Sequence, residues 1–144
     1  MPVTDEQEAT LRAQLAKRFG EHERRLQALD PVEARTGYSA LVSAAFAVAV
    51  DERFPLGTPK ADVVGYVEDV RSRTEDAAKI DARIAERVIR AIIADEEIDD
   101  IDSRTTFETQ LLLLAALVAD ANLDAAGLDA FMSKARKLAD QWLA

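Results

Sequence analysis

Carboxylates crowd two short stretches of this sequence, and carboxylate oxygens on alternate residues are the ligands that calcium takes from proteins. In the first stretch, residues 95–102, the alternate acids that begin at Asp95 match positions one, three and five of a calcium-binding loop. Position six, where such loops need glycine, is Asp100, and position twelve, where they need a bidentate glutamate, is Thr106. Because both of these residues are missing, we interpret the stretch as a solvated acidic loop.

The second acidic stretch is residues 120–124, in which Asp120, Asn122 and Asp124 again have the spacing that opens a calcium loop. Ala125 stands at the glycine position and Phe131 at the position of the bidentate glutamate, so the match fails in the same way. Whether the two stretches lie side by side, which matters for any cation, stays open. We predict no metal site in either.

The residues that other common catalytic sites require are absent from the sequence. His22 is the only histidine and lies between two glutamates, whereas a di-iron bundle needs Glu-x-x-His pairs on two helices. A serine triad would have to use His22, and no nucleophile-elbow motif is present. The sequence has no cysteine and no glycine-rich phosphate or dinucleotide loop. We therefore predict a non-enzymatic protein with no catalytic residues and no cofactor.

The charge and composition of the chain limit the kinds of partner that it could bind. The net charge of −9 disfavours nucleic acid and anionic membrane surfaces, both of which need a positive face. One alternative left open is that the acidic surface mimics nucleic acid or docks a basic partner. With 49% hydrophobic and 31% charged residues the chain has the composition of a globular protein. The polar first residues show no signal peptide, so we expect a cytoplasmic protein.

Two nearly all-apolar stretches, residues 38–50 and 107–119, must organise whatever site exists. Four consecutive leucines from Leu111 to Leu114 cover the whole circumference of a helix, which is typical of a buried helix. Both stretches are too short to span a bilayer, which needs about 20 apolar residues. Thr105 and Glu108 have capping-box spacing and predict the start of the second helix.

Amphipathic helices are predicted around these two. Start signals are Thr4 with Gln7 for a first helix over residues 4–29, and Asp30 with Pro31 for the first apolar helix, which should run to about residue 53. In the first of these we expect a kink or an exposed tail after the glycine at position 20. Further helices are predicted from Thr58, over residues 76–93, and from about residue 124 to the chain end. The prediction is an all-α compact bundle of about six helices in a single domain, residues 1–144.

The leading functional hypothesis is protein–protein contact, as a homodimer or with another protein. Two helices so apolar need partners to cover them, and the sequence shows no catalytic constellation. The candidate interface is formed by Leu138, Trp142 and Leu143 on the last helix, because aromatic residues are enriched at interface hot spots. On the competing interpretation, these residues anchor the last helix to the core.

The alternative hypothesis is a small-molecule binding module. Helical bundles build ligand sites from side chains on facing helices, and the small residues of the first apolar helix leave room for one. The candidate pocket is apolar, lies between the two apolar helices and is lined by Tyr38, Ser43, Phe46 and Leu113.

Overall fold

Seven α-helices and no strand occur in the residues that the computed structural model describes, which are 2–75 and 77–144. The all-α prediction is confirmed, and the count rises from about six to seven because the first predicted helix is two helices. In chain order the helices are α1 (Asp5–Leu15), α2 (Phe19–Ala28), α3 (Pro31–Arg53), α4 (Lys60–Arg73), α5 (Ala82–Ala94), α6 (Ser103–Ala121) and α7 (Ala125–Leu143). A short 3₁₀ turn, Ala77–Lys79, precedes α5.

Helix α3 lies at the centre of the bundle and packs against α1, α5, α6 and α7. Every residue of its second half from Ala44 to Val50 is buried, as the apolar sequence predicts. The predicted start is confirmed, because the Asp30 carboxylate accepts hydrogen bonds from the backbone N–H groups of Val32 and Glu33 at 2.9 and 3.3 Å. Pro31 occupies the first turn, where no backbone donor is needed.

Helices α3 and α7 run antiparallel. At one end, the N-terminal segment contacts both the start of α3 and the end of α7. The Gln7 amide donates to the Glu33 carbonyl at 3.4 Å, and the Val3 N–H donates to Asp140 at 2.7 Å. Toward the other end of α3, Lys134 at the middle of α7 pairs with Glu52 near the end of α3 at 3.5 Å.

The first predicted helix, residues 4–29, breaks earlier than expected. Its start is confirmed, since Thr4 and Gln7 form a complete capping box. We expected a kink or an exposed tail after Gly20. The chain turns earlier, at Lys17, which has left-handed φ of 62°, and residues 23–28 are exposed. Gly20 itself lies inside α2. The N–H of Arg18 still bonds back to the carbonyl of Ala13 at 2.8 Å, so α1 ends in a hydrogen-bonded turn before α2 begins.

Two predicted helix starts shift by a few residues. Thr58 does not cap α4, because its hydroxyl donates to the Pro55 carbonyl at 2.5 Å and Pro59 takes the cap position. The predicted capping box of Thr105 and Glu108 is wrong. A stronger cap three residues earlier, Asp102, accepts from the Thr105 N–H at 3.0 Å. Aspartate is among the best N-cap residues, and it outcompetes threonine here.

Helix α5 is shorter than the predicted span of residues 76–93. Asp81 caps it by accepting from the Ile84 N–H at 3.1 Å, and the helix ends at Ala94. Asp76, the predicted start, lies outside the described residues.

Helix α6 buries one broad face instead of its whole circumference. Leu113, Leu114 and Leu117 are buried, while Leu111 and Leu112 are half-buried against the core. Ala115 is exposed. Of the four consecutive leucines, two therefore lie in the core and two lie at its margin.

Candidate functional site

A groove with a volume of about 660 Å³ lies between α3, α6 and the loop that precedes α6. Arginines stand on both helices beside it, and hydroxyl groups and one amide line its polar side. Branched and aromatic side chains from the loop and α6 form an apolar side. The groove is lined by Arg35, Ser39, Ser43, Ile98, Asp99, Ile101, Arg104, Phe107 and Gln110, among others.

A polar pair joins the two apolar helices inside this groove. The Ser43 hydroxyl on α3 donates to Oε1 of Gln110 on α6 at 2.9 Å. Gln110 is only 8% exposed, and a buried polar side chain destabilises the fold unless its groups are hydrogen-bonded. Among the described residues, no hydrogen bond is made by its Nε2, which carries two donors.

The predicted pocket residues divide between the groove and the core. Ser43 lines the groove, whereas Phe46 and Leu113 have no exposed surface and Tyr38 is buried. The space beside Ser43 has both a polar and an apolar side, in contrast to the predicted apolar pocket. Burial raises the pKa of Tyr38 to about 12, and within the described part of the chain its hydroxyl has no hydrogen-bond partner.

The predicted interface residues are only partly presented to solvent. Leu138 and Leu143 are half-buried and pack against the hydrophobic core. Trp142 is 51% exposed near the end of α7. Of the three, Trp142 alone offers a large free apolar surface.

A more exposed apolar surface lies on α2, and sequence reasoning missed it. None of the ten residues of α2 is buried, and its only extensive contact within the described residues is with α1. Phe19 is 63% exposed and Leu26 is 41% exposed. They lie seven residues apart, which is about two helical turns and places them on one face. Predicting one helix over residues 4–29 obscured this pairing.

The surroundings of α2 differ in charge from the rest of this acidic chain. Lys17, Arg18, Arg24 and Arg25 are all exposed, with Glu21 and Glu23 as the only acids among residues 17–28. Arg25 pairs with Glu21 at 3.5 Å along the helix. His22 faces α1, where its Nδ1 lies 2.8 Å from the Thr10 carbonyl. Since a carbonyl can only accept, Nδ1 carries the proton.

Arginines of α5 hold the first acidic stretch. Arg87 binds Asp100 through two hydrogen bonds of 2.7 and 2.8 Å and also donates to the Glu97 carbonyl at 3.0 Å. This lowers the pKa of Asp100 to about 2. Arg90 binds Glu96 at 2.7 Å, and that hydrogen bond lowers the pKa of Glu96. The two arginines order the loop along α5.

Asp120 and Asp124 of the second acidic stretch also accept hydrogen bonds from neighbouring residues. Asp120 accepts two hydrogen bonds from Arg73 at 2.5 and 2.6 Å and one from the Tyr66 hydroxyl at 2.9 Å, which joins α4 to α6. The pKa of Asp120 is lowered, chiefly by Arg73. Asp124 caps α7 by accepting from Gly127 at 2.7 Å. Across residues 2–75 and 77–144, no group of three metal-ligating side chains has a geometry that could hold an ion.

Comparisons with known proteins give no function for this chain. No family model matches the chain, and no curated protein or solved structure was found to resemble it. In the described part of the chain, none of the helices has the length and apolar character required to cross a membrane.

Proposed function

We propose that this protein acts through protein–protein contact and that α2 carries the contact between two copies of the chain. The contact surface is the α2 face, defined as Phe19, Glu23 and Leu26, with His22 at its edge toward α1. One observation supports this function above the others: α2 is a complete helix that buries none of its residues while exposing two large apolar side chains.

The energetics of α2 favour a surface that is covered in use. A ten-residue helix is marginal by itself in water, and α2 has no side-chain cap at its start. Fully burying an exposed large apolar side chain contributes roughly 1.5–3 kcal/mol, and covering the exposed parts of Phe19 and Leu26 would contribute a share of this. A partner over the α2 face would therefore recover stabilisation that the monomer leaves unused and would strengthen the helix itself.

The pattern of the α2 face favours a second copy as the partner. Phe19 and Leu26 stand at the two ends of the pattern, His22 and Glu23 stand at its middle, and two residues separate each end from the middle pair. The order of apolar and polar positions is therefore the same in both directions along the helix. An antiparallel pair around a two-fold axis would place Phe19 on Leu26 of the second copy. His22, whose Nδ1 is bound to the Thr10 carbonyl, would turn its Nε2 toward Glu23 of the second copy, and the two Glu23 carboxylates would lie on either side of the two-fold axis. Such self-complementarity is what a two-fold interface requires.

The predicted dimer is weak. Stable protein interfaces bury about 1,600 Å² in total, and two ten-residue helices supply less than that. We expect dissociation in the micromolar range, which corresponds to roughly 8 kcal/mol. The homodimer would then respond to changes in protein concentration.

Sedimentation equilibrium tests the proposal. The unmodified chain should show a monomer–dimer equilibrium, and the double variant Phe19→Ser/Leu26→Ser should be monomeric at every concentration. A matched control is Val32→Ser/Leu56→Ser, which removes two exposed apolar side chains outside α2. This control should dimerise like the unmodified chain. A strict monomer for the unmodified chain would overturn the proposal.

The same experiment separates α2 from the surface that the sequence suggested. Trp142→Ser removes the exposed aromatic side chain of α7 without touching α2. If the α2 face carries the contact, this variant should retain the dimer. Loss of the dimer in Trp142→Ser with retention in the α2 variant would instead assign the interface to the end of α7.

A further inference from the structure

We infer that the groove between α3 and α6 is a binding site for a small organic carboxylate, independent of the contact through α2. The groove brings together an unpaired amide donor on a side chain that is nine-tenths buried, two arginines and an apolar wall. Its volume of about 660 Å³ lies within the roughly 300–1,000 Å³ range of small-molecule sites.

The Ser43–Gln110 pair provides the polar floor. The hydrogen bond from Ser43 occupies Oε1 of Gln110 and fixes the plane of the amide. Nε2 then has two N–H donors with no acceptor among the described residues, although the side chain is nine-tenths buried and lines the groove. A carboxylate oxygen would satisfy this donor, and the Ser43 hydroxyl could accept from a ligand donor beside it.

Two guanidinium groups determine the sign of the ligand charge. Arg35 of α3 makes no ion pair with any described residue. Arg104 of α6 pairs with Glu108 at 3.1 Å, but both side chains are largely exposed, and such a pair contributes little. Asp99 is the single carboxylate lining the groove against these two cations. The groove is therefore a locally positive site on a chain whose net charge is −9.

The remaining wall selects for an apolar group next to the carboxylate. Ile98 and Ile101 come from the loop that Arg87 and Arg90 hold in place, and Phe107 comes from the second turn of α6. These side chains could cover a short aliphatic or aromatic group, while the carboxylate lies between the arginines and Gln110. Arginine recognises carboxylates through paired hydrogen bonds. Such pairing favours a carboxylate over an anion that acts only as a point charge.

Benzoate is the probe for the site, and benzamide, which has the same ring without the charge, is its control. In ¹H–¹⁵N spectra of the full chain, benzoate should saturably shift the side-chain amide of Gln110 and the backbone amides of Ser43 and Phe107. We expect millimolar affinity, because only one ionic group and a single ring are engaged. Benzamide should produce no saturable shift at these residues.

Variants connect the binding to the groove. Arg35→Gln/Arg104→Gln should weaken benzoate binding about tenfold through the loss of charge-assisted hydrogen bonds. Arg83→Gln, which removes an exposed arginine of α5 outside the groove, should leave binding unchanged. Gln110→Leu should also weaken binding, and its thermal unfolding checks that the fold is kept. The inference is overturned if benzoate causes no saturable shifts, if benzamide binds as well, or if the double arginine variant binds benzoate normally.

Discussion

Helices α1 and α2 are consecutive, nearly equal in length and similarly rich in charge, yet they take opposite places in the fold. The eleven residues of α1 include five that are buried, whereas the ten residues of α2 include none. Neither length nor charge explains this difference. It shows that a helix can be retained in the fold without contributing to the core, and such a helix is available for contact with another molecule.

The contacts of the two helices follow the same division. Gln7 of α1 closes a capping box and reaches α3, and Arg136 of α7 binds Asp5 of α1 at 2.7 Å. Helix α2 has the His22 contact to α1 and an ion pair within its own turn. Changes in α1 should therefore alter stability, while changes on the α2 face should alter association.

The largest expected effect comes from Leu11→Ala in α1. Leu11 has no exposed surface, so the cavity left behind should lower the free energy of unfolding by about 2–5 kcal/mol. Leu26→Ala in α2 should change it by less than about 0.5 kcal/mol. Urea unfolding followed by circular dichroism measures both. Similar losses in the two variants would show that α2 belongs to the core after all.

Gly37→Ala tests how closely α1 approaches α3. A Cβ at position 37 would lie 2.4 Å from Oε1 of Gln7, so the Gln7 side chain must leave its bond to the Glu33 carbonyl. Overpacking of this kind lowers the free energy of unfolding by about 1–3 kcal/mol. The gain in helix propensity at this position, roughly 0.5–1 kcal/mol, offsets part of that loss, so a net decrease is expected. The matched control in α2 is Gly20→Ala, where a Cβ meets nothing within 4 Å. Its better helix propensity should raise stability by roughly 0.5–1 kcal/mol. Opposite signs in the same unfolding assay are the predicted result.

A smaller effect is expected from Arg136→Gln, which releases α1 from α7. Besides its bond to Asp5, Arg136 donates to the Val3 carbonyl at 2.8 Å. Loss of these partly exposed bonds should lower the free energy of unfolding by about 1 kcal/mol. Arg25→Gln removes the ion pair inside α2 and should lower it by less than about 0.5 kcal/mol. Equal changes in the two variants would contradict the division between the helices.

The smallest expected effect concerns the junction itself. Lys17 has a left-handed backbone that residues with a Cβ adopt at a cost, whereas glycine adopts it freely. Lys17→Gly should raise the melting temperature slightly, by no more than the equivalent of about 1 kcal/mol. A matched change at an exposed lysine in regular helix, Lys137→Gly, should lower it. A fall in both would mean that α1 and α2 do not break at Lys17 in solution.

Local chemistry made part of this fold predictable. The caps at Thr4 and Asp30 depend on residues within four positions, and the apolar run of α3 is long enough to predict its burial. The break at Lys17 was not predictable in this way, because no glycine or asparagine marks it and Gly20 nearby suggested a later one.

The candidate sites depended on contacts that spacing does not reveal. Gln110 stands at the start of an apolar run, and only the packing of α6 on α3 brings it to Ser43. Asp100 and Asp120 were recognisable as acids, but their arginine partners lie 13 and 47 residues away. The spacing of Phe19 and Leu26 could have indicated an apolar face once α2 was treated as a separate helix.

Cysteine crosslinking tests the central claim most directly, because the chain has no cysteine of its own. In the proposed antiparallel pair, Glu23 lies next to the two-fold axis, so Glu23→Cys should form an intermolecular disulfide under mild oxidation. Glu68→Cys, an exposed position on α4, should remain monomeric under the same conditions. Rapid dimer formation by the α2 variant alone is the predicted result. Equal or absent crosslinking of the two variants would contradict the assignment of α2 as the contact surface.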